Sequence, residues 1–442
     1  MRVGRLAVAF VGGIVAWQLP DQPEVQAGLA LFVLVGLLWL TEAISLTFAA
    51  LMVPVLGVFF GLTDVKGGLV SFANPVIFLF LGGFALAAAL SRHGIDRWLA
   101  QQLLALSRGS ALPAALMLAL ATALLSMWIS NTATAAMMLP LALGLSAPLA
   151  DNYPRYRLYL LLALAWSANI GGMGTLVGSP PNAITAAALG WDFDDWLRVG
   201  LPAVAVLLPV ALVVLFFVAR PEPSLPRVDT GSKVHFPRNA GAYTTLAIFA
   251  LTVVLWVGGA WFGKSVGITK DFDAWVAVLA IVLLGITRSV EWKDVEKQAN
   301  WGVLLLFGGG IALSAIMQSS GTSAWIATEV SHIIPPEQPW ITYLLVALFV
   351  VFLTELVSNT ATAALLVPLM MPVAAMVGAS PEVTAVIIGL AASCAFMLPV
   401  ATPPNALVYG TGAVPQRSMI RAGILMNLVC VLVLGLGINL LM

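Results

Sequence analysis

The sequence predicts an all-α protein that crosses a membrane many times. Three observations carry that reading. Hydrophobic residues make up 61% of the 442 positions. Only 9% are charged, against roughly 25% in an ordinary soluble domain. Apolar stretches approaching the length of a bilayer-spanning helix, about 20 residues, recur along the whole chain. The same figures exclude intrinsic disorder, which needs a chain poor in apolar residues. The 20 basic and 20 acidic residues balance, so no basic field marks a nucleic-acid partner. Two cysteines are too few for a disulfide framework, and three scattered histidines, His93, His235 and His332, argue against a zinc centre.

The spans are read in order near 6–19, 28–41, 43–62, 74–90, 109–150, 158–190, 199–219, 242–262, 274–287, 301–317, 339–377, 383–410 and 422–442. The first follows Arg2 and Arg5 as a secretory signal would, but no A-x-A site follows it, so an uncleaved helix is expected. The stretches 109–150, 158–190 and 339–377 are too long for one crossing, and each is interrupted by polar residues or Pro-Pro. About eleven transmembrane helices and two re-entrant hairpins result.

Basic residues set the orientation. Sixteen Lys and Arg residues, including Lys233 in the segment 221–240, are assigned to the cytoplasm, and Lys66, Arg198, Lys264 and Lys270 to the outside. The N-terminus is then cytoplasmic and the C-terminus outside. The charge-free 109–150 is flanked by Arg108 and by Arg155 and Arg157, so both its ends prefer the cytoplasm. A hairpin entering from that side would carry Ser130-Asn131-Thr132 at membrane depth, which is permitted only where it lines a cavity.

The chain is written twice. Ser130-Asn131-Thr132-Ala133-Thr134-Ala135-Ala136 recurs as Ser358-Asn359-Thr360-Ala361-Thr362-Ala363-Ala364, at an offset of 228. Pro180-Pro181-Asn182-Ala183 recurs as Pro403-Pro404-Asn405-Ala406 at 223, and Phe80-Leu81-Gly82-Gly83 aligns with Phe307-Gly308-Gly309-Gly310 at 227. No Lys or Arg occurs between Gln298 and Gln416, so the second hairpin opens from the outside and the second copy is inverted. The domain reading is a first helix over 1–26, repeat 1 over 27–220 with an inward-opening hairpin, a cytoplasmic linker over 221–240, and repeat 2 over 241–442 with an outward-opening hairpin. Inverted repeats with broken helices are the pattern of secondary transporters, with the site at the midplane. Small residues also serve close helix packing, and Gly82, Gly83 and Gly308–Gly310 are read that way. The repeated asparagines are read as functional.

A helix N-terminus exposes unpaired N–H groups and a partial positive charge, so it favours an anion. The hairpin tips and the Pro-Pro-Asn restarts bring four such termini together. The hydroxyls of Thr132, Ser179, Thr360 and Thr402 and the amides of Asn131 and Asn359 can donate there. Broken helix ends also expose carbonyls, which suit sodium. One oxygen cage is expected from Ser126, Ser130, Asn131 and the carbonyl of Gly178; its mirror image comes from Thr354, Ser358, Asn359 and the carbonyl of Ala401. No Lys or Arg lies in these segments, so an anion would depend on a co-bound cation, as symport requires. Two intramembrane acids, Glu42 and Glu355, are read as a helix-end cap and a hairpin brace, with proton relay as the alternative.

Paired SNT signatures, G-S-P-P-N at Gly178–Asn182, A-T-P-P-N at Ala401–Asn405 and W-L-T-E-A-I at Trp39–Ile44 resemble the divalent anion/sodium symporter family over nearly the whole chain. The resemblance implies a homodimer in the bacterial inner membrane, each protomer with a scaffold domain and a transport domain that moves as an elevator. It implies a first sodium site at Ser126, Ser130, Asn131 and Gly178, and a second at Thr354, Ser358, Asn359 and Ala401. It implies carboxylate contacts at Asn131, Thr132, Ser179, Asn359, Thr360, Thr402 and Pro403. The expected activity is sodium-coupled import of C4-dicarboxylates such as succinate, malate or fumarate. Sodium-independent exchange, or carriage of citrate or sulfate, stays open within the family. An anion channel and an intramembrane enzyme are the readings outside it. The second lacks both an H-E-x-x-H motif and any clustered His, Cys and acidic set.

Overall fold

The computed structural model describes residues 2–149, 152–229, 234–331 and 339–438; Lys233 and His332 lie outside the described residues. The regular elements within them are helices, with one isolated antiparallel bridge between Ser110 and Arg227. The first half runs α1 (Arg2–Trp17), α2 (Pro23–Thr41), α3 (Leu46–Phe59), α4 (Val65–Val70), α5 (Pro75–Arg92), α6 (Ile95–Ala105), α7 (Ala111–Ser126), α8 (Asn131–Ser146), α9 (Pro154–Gly171), α10 (Pro180–Leu189) and α11 (Phe193–Ala219). The second runs α12 (Ala240–Val257), α13 (Gly259–Val266), α14 (Phe272–Ile286), α15 (Trp292–Gln298), α16 (Trp301–Ser319), α17 (Thr322–Ser331), α18 (Pro339–Thr354), α19 (Asn359–Met376), α20 (Pro381–Ala391), α21 (Pro403–Gly410) and α22 (Gln416–Gly437).

Local chemistry explains where these helices begin. Proline stands in the first turn of α2, α5, α9, α10, α20 and α21, where its missing N–H costs nothing. Side chains of Ser45, Asp64, Asn74, Asn239 and Asn300 accept N–H bonds at the starts of α3, α4, α5, α12 and α16. The apolar stretch read as one span over 242–262 divides at Gly258 and Gly259 into α12 and α13. Glycine there caps α12 and lets the chain turn.

Seven helices or helix runs among the described residues are long and apolar enough to cross a membrane, and six shorter apolar helices accompany them. Fewer than the expected eleven meet the length criterion because helices such as α1, α3 and α14 have only 16, 14 and 15 residues; the hairpin arms also fall short of a full crossing. Arms α7, α8 and α18 have 16 residues each. At 1.5 Å per residue such an arm spans about 24 Å, short of a hydrocarbon core of about 30 Å.

The order of α2 to α11 returns as α12 to α22, with α13 as the extra element. Contacts between the halves are reciprocal. On α5, a Cβ at Gly82 would stand 2.6 Å from the Cβ of Ala277 on α14. On α16, a Cβ at Gly309 would stand 2.6 Å from the Cβ of Ala50 on α3. The two glycines are 227 residues apart, and so are the two alanines. Likewise α10 packs on α19 and α20, while α21 packs on α8 and α9. The largest buried cluster gathers α5, α7 to α9, α11, α14, α18 to α20 and α22; a second lies around α2, α3 and α16.

Polar contacts at the helix ends join segments that the charge argument assigns to one side. Arg92 pairs with Glu291 at 2.8 Å and with Asp294, Arg155 pairs with Glu222 at 3.6 Å, and the Gln102 amide donates to the Val234 carbonyl at 3.2 Å.

Candidate functional site

Each SNT motif lies where one helix stops and the next starts. Ser126 ends α7, and after the turn Met127–Ser130 the next helix starts at Asn131. Thr354 ends α18, and α19 starts at Asn359. The Ser126 hydroxyl oxygen lies 2.7 Å from Asn131 Oδ1 and 2.7 Å from the Ala168 carbonyl. The Thr354 hydroxyl oxygen lies 2.7 Å from Asn359 Oδ1 and 2.9 Å from the Ala392 carbonyl. A hydroxyl has one proton and can donate to only one of these oxygens. In each half, three oxygens thus converge with a proton for a single pair. A hard cation on the hydroxyl and asparagine oxygens would remove the remaining lone-pair repulsion.

The backbone around these oxygens is drawn in closely. A Cβ at Gly172 would collide with Asn131 Oδ1, and one at Gly178 would meet the carbonyl oxygens of Gly172 at 2.5 Å and Ser126 at 3.0 Å. Only glycine allows that approach.

Between α9 and α10, and between α20 and α21, the helix is interrupted. The asparagine of each Pro-Pro-Asn motif holds the interruption in shape. Asn182 Nδ2 donates to the carbonyls of Gly172 at 2.8 Å and Thr175 at 2.7 Å. Asn405 Nδ2 donates to those of Ala395 and Leu398, both at 3.1 Å. All three pairs of equivalent residues are 223 apart. Carbonyls freed from the helical ladder are therefore satisfied by side chains, as burial demands.

A cavity of about 1060 Å³ lies between the two hairpin tips and the two restarts. Ser130, Asn131, Thr132, Gly178 and Ser179 from the first half line it, facing Ser358, Asn359, Thr360, Ala401, Thr402 and Pro403 from the second. Ser126 and Thr354 are fully buried and sit behind this wall, reaching the cavity through the asparagines. The N-termini of α8, α10, α19 and α21 all meet the cavity. So does that of α16, through Asn300 and Trp301, which the sequence reading did not include. Lys297, also unforeseen, is the one basic side chain among the described lining residues, and it comes from the polar helix α15 rather than the motifs.

The two acids lie apart. Glu42 is exposed at the C-terminal cap of α2 with φ 48°, on the cavity wall. Glu355 is 1% exposed and its carboxylate accepts from the Met397 N–H at 2.8 Å, the Leu398 N–H at 2.8 Å and Asn427 Nδ2 at 2.7 Å. It braces the second interruption against the second hairpin; the equivalent position in the first hairpin is Met127.

Sequence reasoning missed Asn169 and Ser393. Asn169 Nδ2 lies 3.1 Å from Thr402 Oγ1, and Ser393 Oγ lies 3.3 Å from Ser179 Oγ. The signal was an asparagine just beyond the apolar run Leu160–Trp166 of α9, and a serine 224 positions later.

Comparison with known proteins places this geometry. The family model described as citrate transporter matches residues 37–389. An uncharacterized transporter of Haemophilus influenzae is 45% identical, the match covering 94% of this chain and 92% of that protein. The sodium-dependent dicarboxylate transporter SdcS of Staphylococcus saprophyticus is 31% identical, the match covering 98% of this chain and 91% of that protein. In fold, the chain is similar to the YdaH transporter of Alcanivorax borkumensis, with a TM-score of 0.56 at 16% identity, over 87% of this chain and 88% of that one.

Proposed function

The chain belongs to the citrate transporter family, in keeping with its resemblance to the divalent anion/sodium symporters, and on that premise we propose that this membrane transporter imports C4-dicarboxylates by sodium symport. Succinate, malate and fumarate fit the class. The observation that carries the reading is the pair of mirrored oxygen clusters, Ser126–Asn131–Ala168 and Thr354–Asn359–Ala392, set directly behind the cavity wall.

The chemistry runs through Asn131 and Asn359. Each gives its Oδ1 to a cluster and leaves its NH₂ group for the cavity side. A sodium ion in the cluster holds that oxygen and so fixes the amide as a donor to a carboxylate. Thr132, Ser179, Thr360 and Thr402 add hydroxyl donors, and the helix N-termini add partial positive charge. No fixed guanidinium or ammonium sits at the tips, so the anion is held well only when the cations are present. Empty and fully loaded sites move, and half-loaded ones do not, which is what coupling requires.

The cavity, with Lys297 and Glu42 on its wall, opens in this reading toward the cytoplasmic side. Access alternates when the hairpins, α9, α10, α20 and α21 move as one body against the rest, as an elevator. The short helices α6 and α17 precede the two hairpins and each follows directly on a glycine, Gly94 (φ 67°) and Gly321 (φ 76°), 227 residues apart. Mirrored glycines in the left-handed region suit a pair of arms that swing together. The protein works as a homodimer in the bacterial inner membrane, with its N-terminus in the cytoplasm.

Uptake of labelled succinate into proteoliposomes tests the coupling. It should collapse when external sodium is replaced by choline; equal uptake in both buffers would select exchange instead. The description of the matched family favours citrate as a second substrate, and citrate should then compete with succinate for uptake.

A further inference from the structure

The two halves of the cavity are tied to each other by a reciprocal pair of side-chain contacts, and each contact starts one residue from a carbonyl that accepts a cage hydroxyl. The Ala168 carbonyl accepts the Ser126 hydroxyl of the first cage, and the next residue, Asn169, donates to Thr402 of the second half. The Ala392 carbonyl accepts the Thr354 hydroxyl of the second cage, and the next residue, Ser393, meets Ser179 of the first half. We infer that Asn169 and Ser393 are positioning residues that carry each cage's occupancy to the carboxylate-binding hydroxyl of the opposite repeat. This rests on the symport reading above and adds to it the route by which the two cages cooperate.

The hydrogen-bond inventory supports the role. Thr402 Oγ1 accepts from Asn169 Nδ2 at 3.1 Å and from the Asn405 N–H at 3.3 Å. Both acceptor sites of the hydroxyl are then used, and its single proton is left to donate into the cavity. Asn169 thereby makes Thr402 an obligate donor, the polarity an anion requires. The Asn169 amide is itself oriented: its NH₂ group also lies 3.5 Å from the Ala395 carbonyl, so it faces acceptors on both sides. Asn169 is 1% exposed, on the cavity wall, and Ser393 is fully buried, so both contacts are sheltered by protein. On the other side, a Ser393 hydroxyl that donates to Ser179 frees the Ser179 proton in the same manner.

The linkage is local and two-way. A cation on the Ser126 oxygen turns that hydroxyl's proton onto the Ala168 carbonyl, tightens the peptide that carries Asn169 and so presses on Thr402. A carboxylate on Thr402 pushes back along the same path. The mirrored path runs from Ala392 through Ser393 to Ser179. Each repeat's cation is then sensed by the other repeat's anion contact, and the two cages fill cooperatively.

The test is uptake of succinate by reconstituted protein at varied succinate and sodium. The wild type should show a sodium Hill coefficient of about two or above. Asn169→Ala and Ser393→Ala should each raise the succinate KM about threefold to tenfold, the worth of one oriented hydrogen bond. Each should also bring the Hill coefficient down toward about one, while the maximum rate changes less than the KM. Asn169→Ser and Ser393→Thr, which keep a donor at each position, should recover cooperativity. Unchanged KM and Hill coefficient in both alanine variants would overturn the inference. So would a fall in maximum rate alone, the mark of a packing defect. If Asn169→Ala does not assemble, Ser393→Ala and Asn169→Ser decide on the same readouts. Wild-type uptake indifferent to sodium would overturn the symport reading itself, and this inference with it.

Discussion

At the residue scale, the account turns on two asparagines that each serve two masters. Asn131 and Asn359 offer an oxygen to a hydroxyl–carbonyl cluster and also line the cavity. Asn131→Ala and Asn359→Ala should each cut sodium-driven uptake by roughly a hundredfold, as loss of a metal ligand does. Expression and gel-filtration behaviour should stay near wild type; normal uptake in either variant would contradict the site. Glu355 acts differently. Its two carboxylate oxygens take two backbone N–H groups and one amide N–H. Glu355→Gln puts an NH₂ group against one of those donors, at a cost of about 1–3 kcal/mol. Its thermal unfolding should move down while the sodium dependence of uptake keeps its shape. The repeated SNT motifs were legible because polar residues are scarce in this chain, so a seven-residue repeat of them stands out. Asn169 and Ser393 were not legible. Each is a single polar residue, and the offset slips from 228 to 224 between the hairpin motif and their positions. Their partners lie in the opposite repeat, which only the folded chain brings near.

At the scale of elements, hydropathy located the apolar helices and the motif interruptions, because length and burial of the backbone leave few alternatives. It did not reveal α4, α6, α15 and α17. These have 6 to 11 residues and sit in mixed segments with no sustained apolar run. It also ran α12 into α13, since two glycines in an apolar stretch do not lower its hydropathy. The glycine motifs have a mechanical explanation. Gly82 and Gly309 let α5 and α16 press against Ala277 and Ala50. Gly309→Val forces α16 away from α3, at a cost of about 1–3 kcal/mol for overpacking. The expected result is a lower melting temperature and more aggregate on gel filtration, with unaltered succinate KM in the protein that survives. Gly82→Val should behave alike, since the contact is duplicated.

At the scale of the whole molecule, charge placement and pseudo-symmetry describe one machine. Two copies of the same helix order interlock, so that α10 packs on α19 and α20 while α21 packs on α8 and α9. In the proposed symport, each copy supplies one cation cluster and one set of anion donors to a shared cavity. A dianion moving with more than two sodium ions carries net positive charge. Uptake should therefore rise when a potassium gradient with valinomycin makes the vesicle interior negative, and an electroneutral carrier would not respond. The central claim is that anion binding here depends on a bound cation, because the motif tips offer two carboxylates only neutral groups and helix ends. The most direct measurement is the thermal unfolding midpoint of purified protein with succinate, in sodium and in choline. The account predicts a succinate-dependent rise in sodium that is absent in choline. An equal rise in both buffers would contradict it.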